Sequence, residues 1–435
     1  MGSSKINHNQ IIIQFGYQDY PTHPDHSGLH KSKLLKKIFD YRLSYADHID
    51  PKEANAFKYP LQSILDGVEI IEKHIMHSYH KTDYDYFSSS TYETFLDYEK
   101  KMKKYLKQNK KTYVKLKDKN FIIENEKKYL ENSILTPIFS NNIDFTRPVS
   151  LKDDFIFRRT NQKGLNSIEI KKFQAKFYIL NKKIKKNKTL KKEFLSKSKI
   201  ATIIDCRMKS SRLKNRAILK IGKISSIEMC IKNALSFKNV DYTILTSSKL
   251  KSDEVLENYT YDKNVIFHKG DPDNIVKRYL QIIKKHNIDI IIRVNGNMPF
   301  VSNDILQILL KKHFESSADC TTAKKATLGT NLEIYNSSSF MKLNKLEPNI
   351  NYFENMSSYF KNNSSTLKIN YVDLPNNLIS KDRLVLDYKE DLNMFNELDK
   401  KFNFYKNKLK YKSILSYLEK NKNISQINKS VATKN

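Results

Sequence analysis

Apolar runs alternate with amphipathic stretches along most of this chain, and their order predicts two blocks of α/β structure. In the second half, IATIID (200–205), DYTILTS (241–247), NVIFHKG (264–270) and IDIIIRVNGNMPF (288–300) contain short apolar cores bounded by polar turns. Segments of helical period lie between them, near 224–236, near 252–259 and after 271. Short apolar runs separated by helical segments point to parallel strands joined by crossover helices. In the helix after 271, Ile275, Tyr279, Ile282, Ile283 and His286 share one face, and Asp271 with Pro272 supplies an N-cap and a first helical residue. The strand beginning at 288 ends in a polar turn, the end that faces a ligand in open α/β sheets.

The opening block has the same rhythm. IIIQFGY (11–17), RLSYADH (42–48) and VEIIEKHI (68–75) predict strands, while 29–39, 54–66 and 91–106 predict helices. Ser90 and Glu93 form a capping-box pattern ahead of Phe95, Met102 and Leu106. His48 and His74 fall at the carboxyl ends of two of these strands, where two imidazoles could hold one divalent metal. The period of two puts Glu72 on the same face as His74. Between the blocks, 107–144 is basic with weak periodicity and reads as a linker, and 145–197 carries short strand-like pieces. The expected organisation is therefore 1–106, 107–144, 145–197 and 198–435.

Composition narrows the function classes. The 78 lysines and arginines against 47 acidic residues give a net charge of +31, but the lysines are spread over the whole length. Only 100–111 and 181–192 are locally dense, so nucleic acid is not the expected partner. Cys206, Cys230 and Cys320 are far apart, with no C-x-x-C pair, which argues against a disulfide framework or a zinc knuckle. No apolar run approaches the ~18 residues of a membrane span, and residues 1–20 lack a signal-like segment. A cytoplasmic protein without a membrane partner is the expectation.

Arginine is scarce, 10 of the 78 basic residues, yet Arg207, Arg212 and Arg216 fall within ten positions and are interleaved with Ser210 and Ser211. A guanidinium fork binds oxyanions bidentately, so this turn after the 200–205 strand is a candidate triphosphate site. The stretch resembles the nucleotide loop of cytidylyltransferases of the spore-coat-polysaccharide and CMP-sugar synthetase type, whose pattern is R-x-x-S-S-R-L-P-x-K. Here Lys214 stands in place of the proline and Arg216 in place of the lysine. GDPDNIVKRY (270–279), RVNGNMP (293–299), GTNLEIY (329–335) and DYKEDL (387–392) resemble further phrases of that family in the same order.

The resemblance implies a Rossmann-like nucleotidyltransferase domain that uses CTP and Mg2+ to form a CMP-sugar with release of pyrophosphate. It assigns Arg207, Arg212, Arg216 and Arg293 to catalysis, Arg293 as the candidate for a sugar carboxylate. Ser210, Ser211 and Arg278 fall to nucleotide binding, Asn297 and Asp387 to the metal, and Glu333 to the sugar. Asparagine replaces the family's aspartate at 297, 274 and 331, which predicts weakened catalysis.

In the first block GYQDYPT (16–22), SYADHID (44–50), IIEKHI (70–75) and DYFSSSTYETF (85–95) resemble the last part of the barrel of N-acetylneuraminate synthases. That resemblance implies that His48 and His74 bind Mn2+ or another divalent metal and that Gln18, Tyr20 and Asp85 line a sugar pocket. Residues 145–197 resemble a degenerate antifreeze-like (SAF) β domain, in which Arg159 would reach a partner subunit's site. The expected fold class is α/β: a partial TIM-type barrel segment, a small SAF-like domain and a nucleotidyltransferase domain. A homodimer, or a complex with a chain that completes the barrel, is the expected assembly. The rivals are a non-catalytic nucleotide-binding scaffold for a complete synthase and a basic RNA-binding protein.

Overall fold

The computed structural model describes residues 10–17, 21–78, 85–108, 121–122, 124–133, 135–346, 359–360, 362–363 and 365–431. They fall into two compact units, Met1–Leu135 and Thr136–Asn435.

In the first unit the strands β1 (Ile12–Phe15), β2 (Arg42–Asp47) and β3 (Ile70–Lys73) are parallel and lie in chain order. The helices α1 (Lys31–Ile38) and α2 (Lys58–Leu65) provide the crossovers. Phe15, Leu29, Leu35, Leu43, Tyr45 and Val68 form the core. These strands make an open sheet and not a closed barrel.

Helix α3 (Tyr92–Lys107) begins one residue later than the Ser90 pattern predicts, because Thr91 Oγ1 accepts from Thr94 N. Ser90 is instead drawn into a parallel bridge with Ile75: its N–H donates to His74 O and its carbonyl accepts from Met76 N. Helix α4 (Glu124–Ser133) lies within the stretch expected as a linker, and Glu126 accepts a buried ion pair from Lys31 Nζ at 3.2 Å.

The second unit starts with two antiparallel pairs, β4 (Thr136–Phe139) with β5 (Phe155–Arg158), and β6 (Tyr178–Leu180) with β7 (Leu195–Lys197). Helix α5 (Ser167–Ala175) joins the pairs and is capped by Asn166 and Glu169 in a reciprocal box. Phe139, Phe155, Ile170, Leu180 and Leu190 are the core of this subdomain.

A seven-stranded sheet follows. Its strands are β8 (Ile200–Asp205), β11 (Tyr242–Ser248), β12 (Ile266–Gly270), β13 (Ile290–Asn295), β14 (Cys320–Ala323), β15 (Glu333–Asn336) and β16 (Ile369–Val372). Two short strands, β9 (Lys220–Ile221) and β10 (Ile224–Ser225), pair outside it. The spatial order is β12-β11-β8-β13-β15-β14-β16, with β15 antiparallel to both neighbours and the other pairs parallel.

Alternation along β8 and β13 sends Ile200, Ile204, Ile290, Ile292 and Val294 into one core, and Ala201, Ile203 and Ile291 into another. Helices therefore cover both faces: α6 (Ser226–Ala234), α7 (Ile275–His286), α8 (Asn303–Phe314), α9 (Ser337–Leu346), α10 (Lys389–Phe402) and α11 (Tyr411–Lys420). The chain winds from β8 outward to β12 and then returns to the other side of β8 as β13. That reversal opens a crevice at the carboxyl ends of β8 and β13, where Asp205 and Asn295 stand in register.

Helix α7 starts later than expected. Asn274 is its N-cap, accepting from Lys277 N, while Asp271 Oδ1 closes the preceding turn by accepting from Asp273 N and Asn274 N. The reason is tertiary, since the carbonyl of Pro272 is taken by Arg207 Nη2 at 2.7 Å. Among the described residues no helix is long and apolar enough to cross a membrane.

Candidate active site

The loop that leaves β8 is tied down at both ends. Asp253 accepts from Met208 N at 2.8 Å and from Ser248 Oγ at 2.5 Å, and Ser210 Oγ accepts from Leu213 N. Asn215 takes a left-handed conformation (φ 54°) just before Arg216, one that asparagine adopts more readily than most residues. Ser211 is exposed on the same loop.

Arg207 and Arg278 approach each other at one end of the loop. Burial first, and then the neighbouring Arg278 charge, lower the pKa of Arg207 from its ordinary value. Arg278 is only 2% exposed; its Nη2 is 3.9 Å from Asp205 Oδ1, and its Nε and Nη1 have no hydrogen-bond partner. Gly270 makes room for it, because a Cβ there would meet Arg278 Cγ at 2.3 Å.

At the other end the loop reaches the turn before α10. Arg216 Nη1 donates to Asp387 Oδ1 at 2.6 Å, Arg212 Nη2 is 3.1 Å from the same oxygen, and Asn297 Nδ2 donates to it at 3.0 Å. Arg383 Nη2 holds Asp387 Oδ2 at 3.3 Å, and Arg383 Nε donates to Asp391 at 2.8 Å. Asp391 in turn accepts the N–H groups of Asp387 and Tyr388. Arg383 and Asp391 escaped the sequence reading, although their fourfold spacing on either side of Asp387 is visible in RLVLDYKED.

Arg293 and Glu333 do not open toward a ligand. Arg293 is buried, with Nη1 donating to Glu333 at 2.8 Å and Nε to Asp205 at 3.2 Å, while Tyr279 Oη also donates to Asp205. Burial opposes the Arg293 charge, but Glu333, Tyr279 and Asp205 outweigh it and raise its pKa above the ordinary value. The strand period explains the placement: Arg293 and Asp205 continue the face that carries Ile291 and Ile203 into the core.

The cytidylyltransferase family profile matches residues 201–424, a span holding the arginine loop, Asn297 and Asp387. The chain belongs to the cytidylyltransferase family. An uncharacterized protein of Methanocaldococcus jannaschii is 25% identical over 237 residues, covering 54% of this chain and 97% of its own length. The spore coat polysaccharide biosynthesis protein SpsF of Bacillus subtilis is 24% identical over 198 residues, 44% of this chain and 82% of that protein. A solved cytidylyltransferase from Leptospira borgpetersenii superposes with a TM-score of 0.49 at 23% identity, covering 54% of this chain and 100% of its own.

Cytidylyltransferases use CTP and a divalent metal. The side chains gathered at this crevice suit a polyphosphate anion better than a divalent cation. Mg2+ relies on one or two carboxylates plus phosphate oxygens in a tight octahedron. Here the two expected ligands are one carboxylate, already held by three guanidiniums, and one amide that turns an N–H toward it. Asn274 caps α7 and Asn331 accepts Ala323 N, acceptor tasks that aspartate performs equally well, whereas Asn297 is the one of the three that contacts Asp387. The loss of acidic character beside Asp387 is therefore at Asn297.

In the first unit, His48, Glu72 and His74 bring three ligand atoms within 4.8 Å of one another. His48 Nδ1 is anchored on Tyr17 O at 2.9 Å and His74 Nδ1 on Asp85 at 3.1 Å, the outer contacts that fix metal-binding imidazoles. Burial lowers the pKa of His48, which keeps the ring neutral. Asp85, expected in a sugar pocket, stands against His74. Gln18 and Tyr20 lie outside the described residues, and Arg159 is exposed just past β5 in the second unit.

Proposed function

We propose that the second unit binds CTP with its triphosphate against Arg207, Arg212, Arg216 and Arg278, and transfers the cytidylyl group to a hydroxyl of an acidic sugar. The sugar oxygen forms a bond to the α-phosphorus, the bond from that phosphorus to the bridging oxygen breaks, pyrophosphate leaves, and the hydroxyl proton is lost to solvent. Negative charge grows on the departing pyrophosphate, and fixed guanidiniums are the groups that stabilise it. The observation that carries this reading is the convergence of arginines on the crevice between β8 and β13 in a chain of this family. The name of SpsF supports a product destined for a surface polysaccharide.

Arg293 and Glu333 act here as positioning residues that hold Asp205 and the floor of the crevice. Titration calorimetry with CTP and ATP tests the proposal. It requires binding that prefers CTP, and equal affinity for the two nucleotides, or none for either, would refute it.

For the first unit, the His48–Glu72–His74 cluster supports a divalent-metal site of a synthase-like segment whose barrel another chain would complete. Mn2+ should raise the melting temperature of the native protein and leave His74→Ala unchanged. An equal shift in both would remove the assignment.

A further inference from the structure

Among the described residues the carboxylate that faces the arginine loop, Asp387, has both oxygens engaged. Asp387 Oδ1 receives Arg216 and Asn297, with Arg212 at 3.1 Å, and its Oδ2 receives Arg383. Asp205 Oδ2 is held by Tyr279 and Arg293, while its Oδ1 has no hydrogen-bond partner and faces Arg278 Nη2 at 3.9 Å. Glu333 is held by Arg293 and Tyr335, Asp253 by Met208 N and Ser248, and Asp391 by Arg383 and two backbone N–H groups. A divalent cation placed on Asp387 would have to displace donors from an oxygen that carries three, with three guanidiniums repelling it at short range. The position opposite Asp387 offers an uncharged amide in place of a second carboxylate, so little is left to offset that repulsion.

A triphosphate meets the reverse situation. It presents several oxyanions to Arg212 and Arg216, which share the single carboxylate of Asp387, and bidentate phosphate contacts are stronger than the single ones that Asp387 provides. Resting on the CTP reading above, we infer that Arg212 and Arg216 take over the charge neutralisation that the family assigns to a divalent ion, and that this chain binds CTP without metal. Asp387 is then a placeholder: it keeps the guanidiniums in position and yields Arg212 and Arg216 to the nucleotide.

The test is titration calorimetry of the full chain with CTP, once in EDTA and once in excess Mg2+. Binding in EDTA that is as tight as in Mg2+ to within about threefold, or tighter because the nucleotide's charge is unshielded, is the expected result. CTP that binds in Mg2+ and is more than about threefold weaker in EDTA overturns the inference and leaves the CTP site standing. Absence of binding under both conditions removes the nucleotide site and the inference with it.

Discussion

Arg216 Nη1 donates to Asp387 Oδ1 at 2.6 Å and so joins the loop after β8 to the turn before α10, 171 positions away along the chain. The contact makes the carboxylate a competitor of the nucleotide for the same guanidinium. Asp387→Asn should therefore tighten CTP binding in EDTA by about three- to tenfold, a gain of about 1 kcal/mol. A carboxylate that served as a metal ligand would give the opposite sign, weaker binding seen only in Mg2+. Calorimetry of the variant in both buffers distinguishes the two.

Arg212 is the most exposed of the guanidiniums on Asp387 and stands nearest to solvent, where a triphosphate enters. Arg212→Ala should weaken CTP binding at least about tenfold, a loss of ~1.4 kcal/mol, with little change in melting temperature. Unchanged affinity would take the loop out of the nucleotide site.

Gly270 should not tolerate a side chain. Its added Cβ would stand 2.3 Å from Arg278 Cγ and 2.7 Å from Cδ, and Arg278 is buried against the crevice floor. Gly270→Ala should destabilise the unit by about 1–3 kcal/mol, read as a lower urea midpoint, and should weaken CTP as Arg278 shifts. A variant with native stability and affinity would show that Arg278 can move without consequence.

The stability of the second unit should fall in mild acid through His313. The ring is fully buried between Thr321 Oγ1 and Asn336 Oδ1, at 2.9 Å from each, and burial pushes its pKa down to about 4. The unfolded chain takes up that proton near pH 6.5, so between the two values the unfolded state binds more protons than the folded one. This contribution is complete above about pH 6.5 and is lost as pH falls toward 4, on the order of 3 kcal/mol in all. Denaturant midpoints of the native protein and His313→Gln across that range should diverge, with the shallower slope in the variant.

Local patterns carried the strands and most helices, because isoleucine-rich runs and helical periods are properties of neighbouring residues. The cores of β8, β11, β12 and β13 fall inside the apolar runs expected to hold them. Helix starts failed where a distant contact intervened. Pro272 lends its carbonyl to Arg207 and delays α7 to Asn274, and the bridge between Ser90 and Ile75 moves the cap of α3 to Thr91.

At the site, the arginine loop and Asp387 were legible from the crowding of a scarce residue and from the resemblance. The pairing of Arg212 and Arg216 with Asp387 was not, since nothing local links positions so far apart. Arg293 was expected to meet a sugar carboxylate, yet it is buried, and its partners Asp205 and Glu333 come from the strands flanking β13 on either side, which only the assembled sheet brings together.

The most direct measurement is pyrophosphate release from CTP and from ATP by the full chain, with a panel of acidic sugars and with a no-sugar control. Cytidylyl transfer predicts release that needs both CTP and one of the sugars and that falls in Arg212→Ala. Release with neither nucleotide, while CTP still binds, would contradict transfer and leave a nucleotide-binding protein in its place.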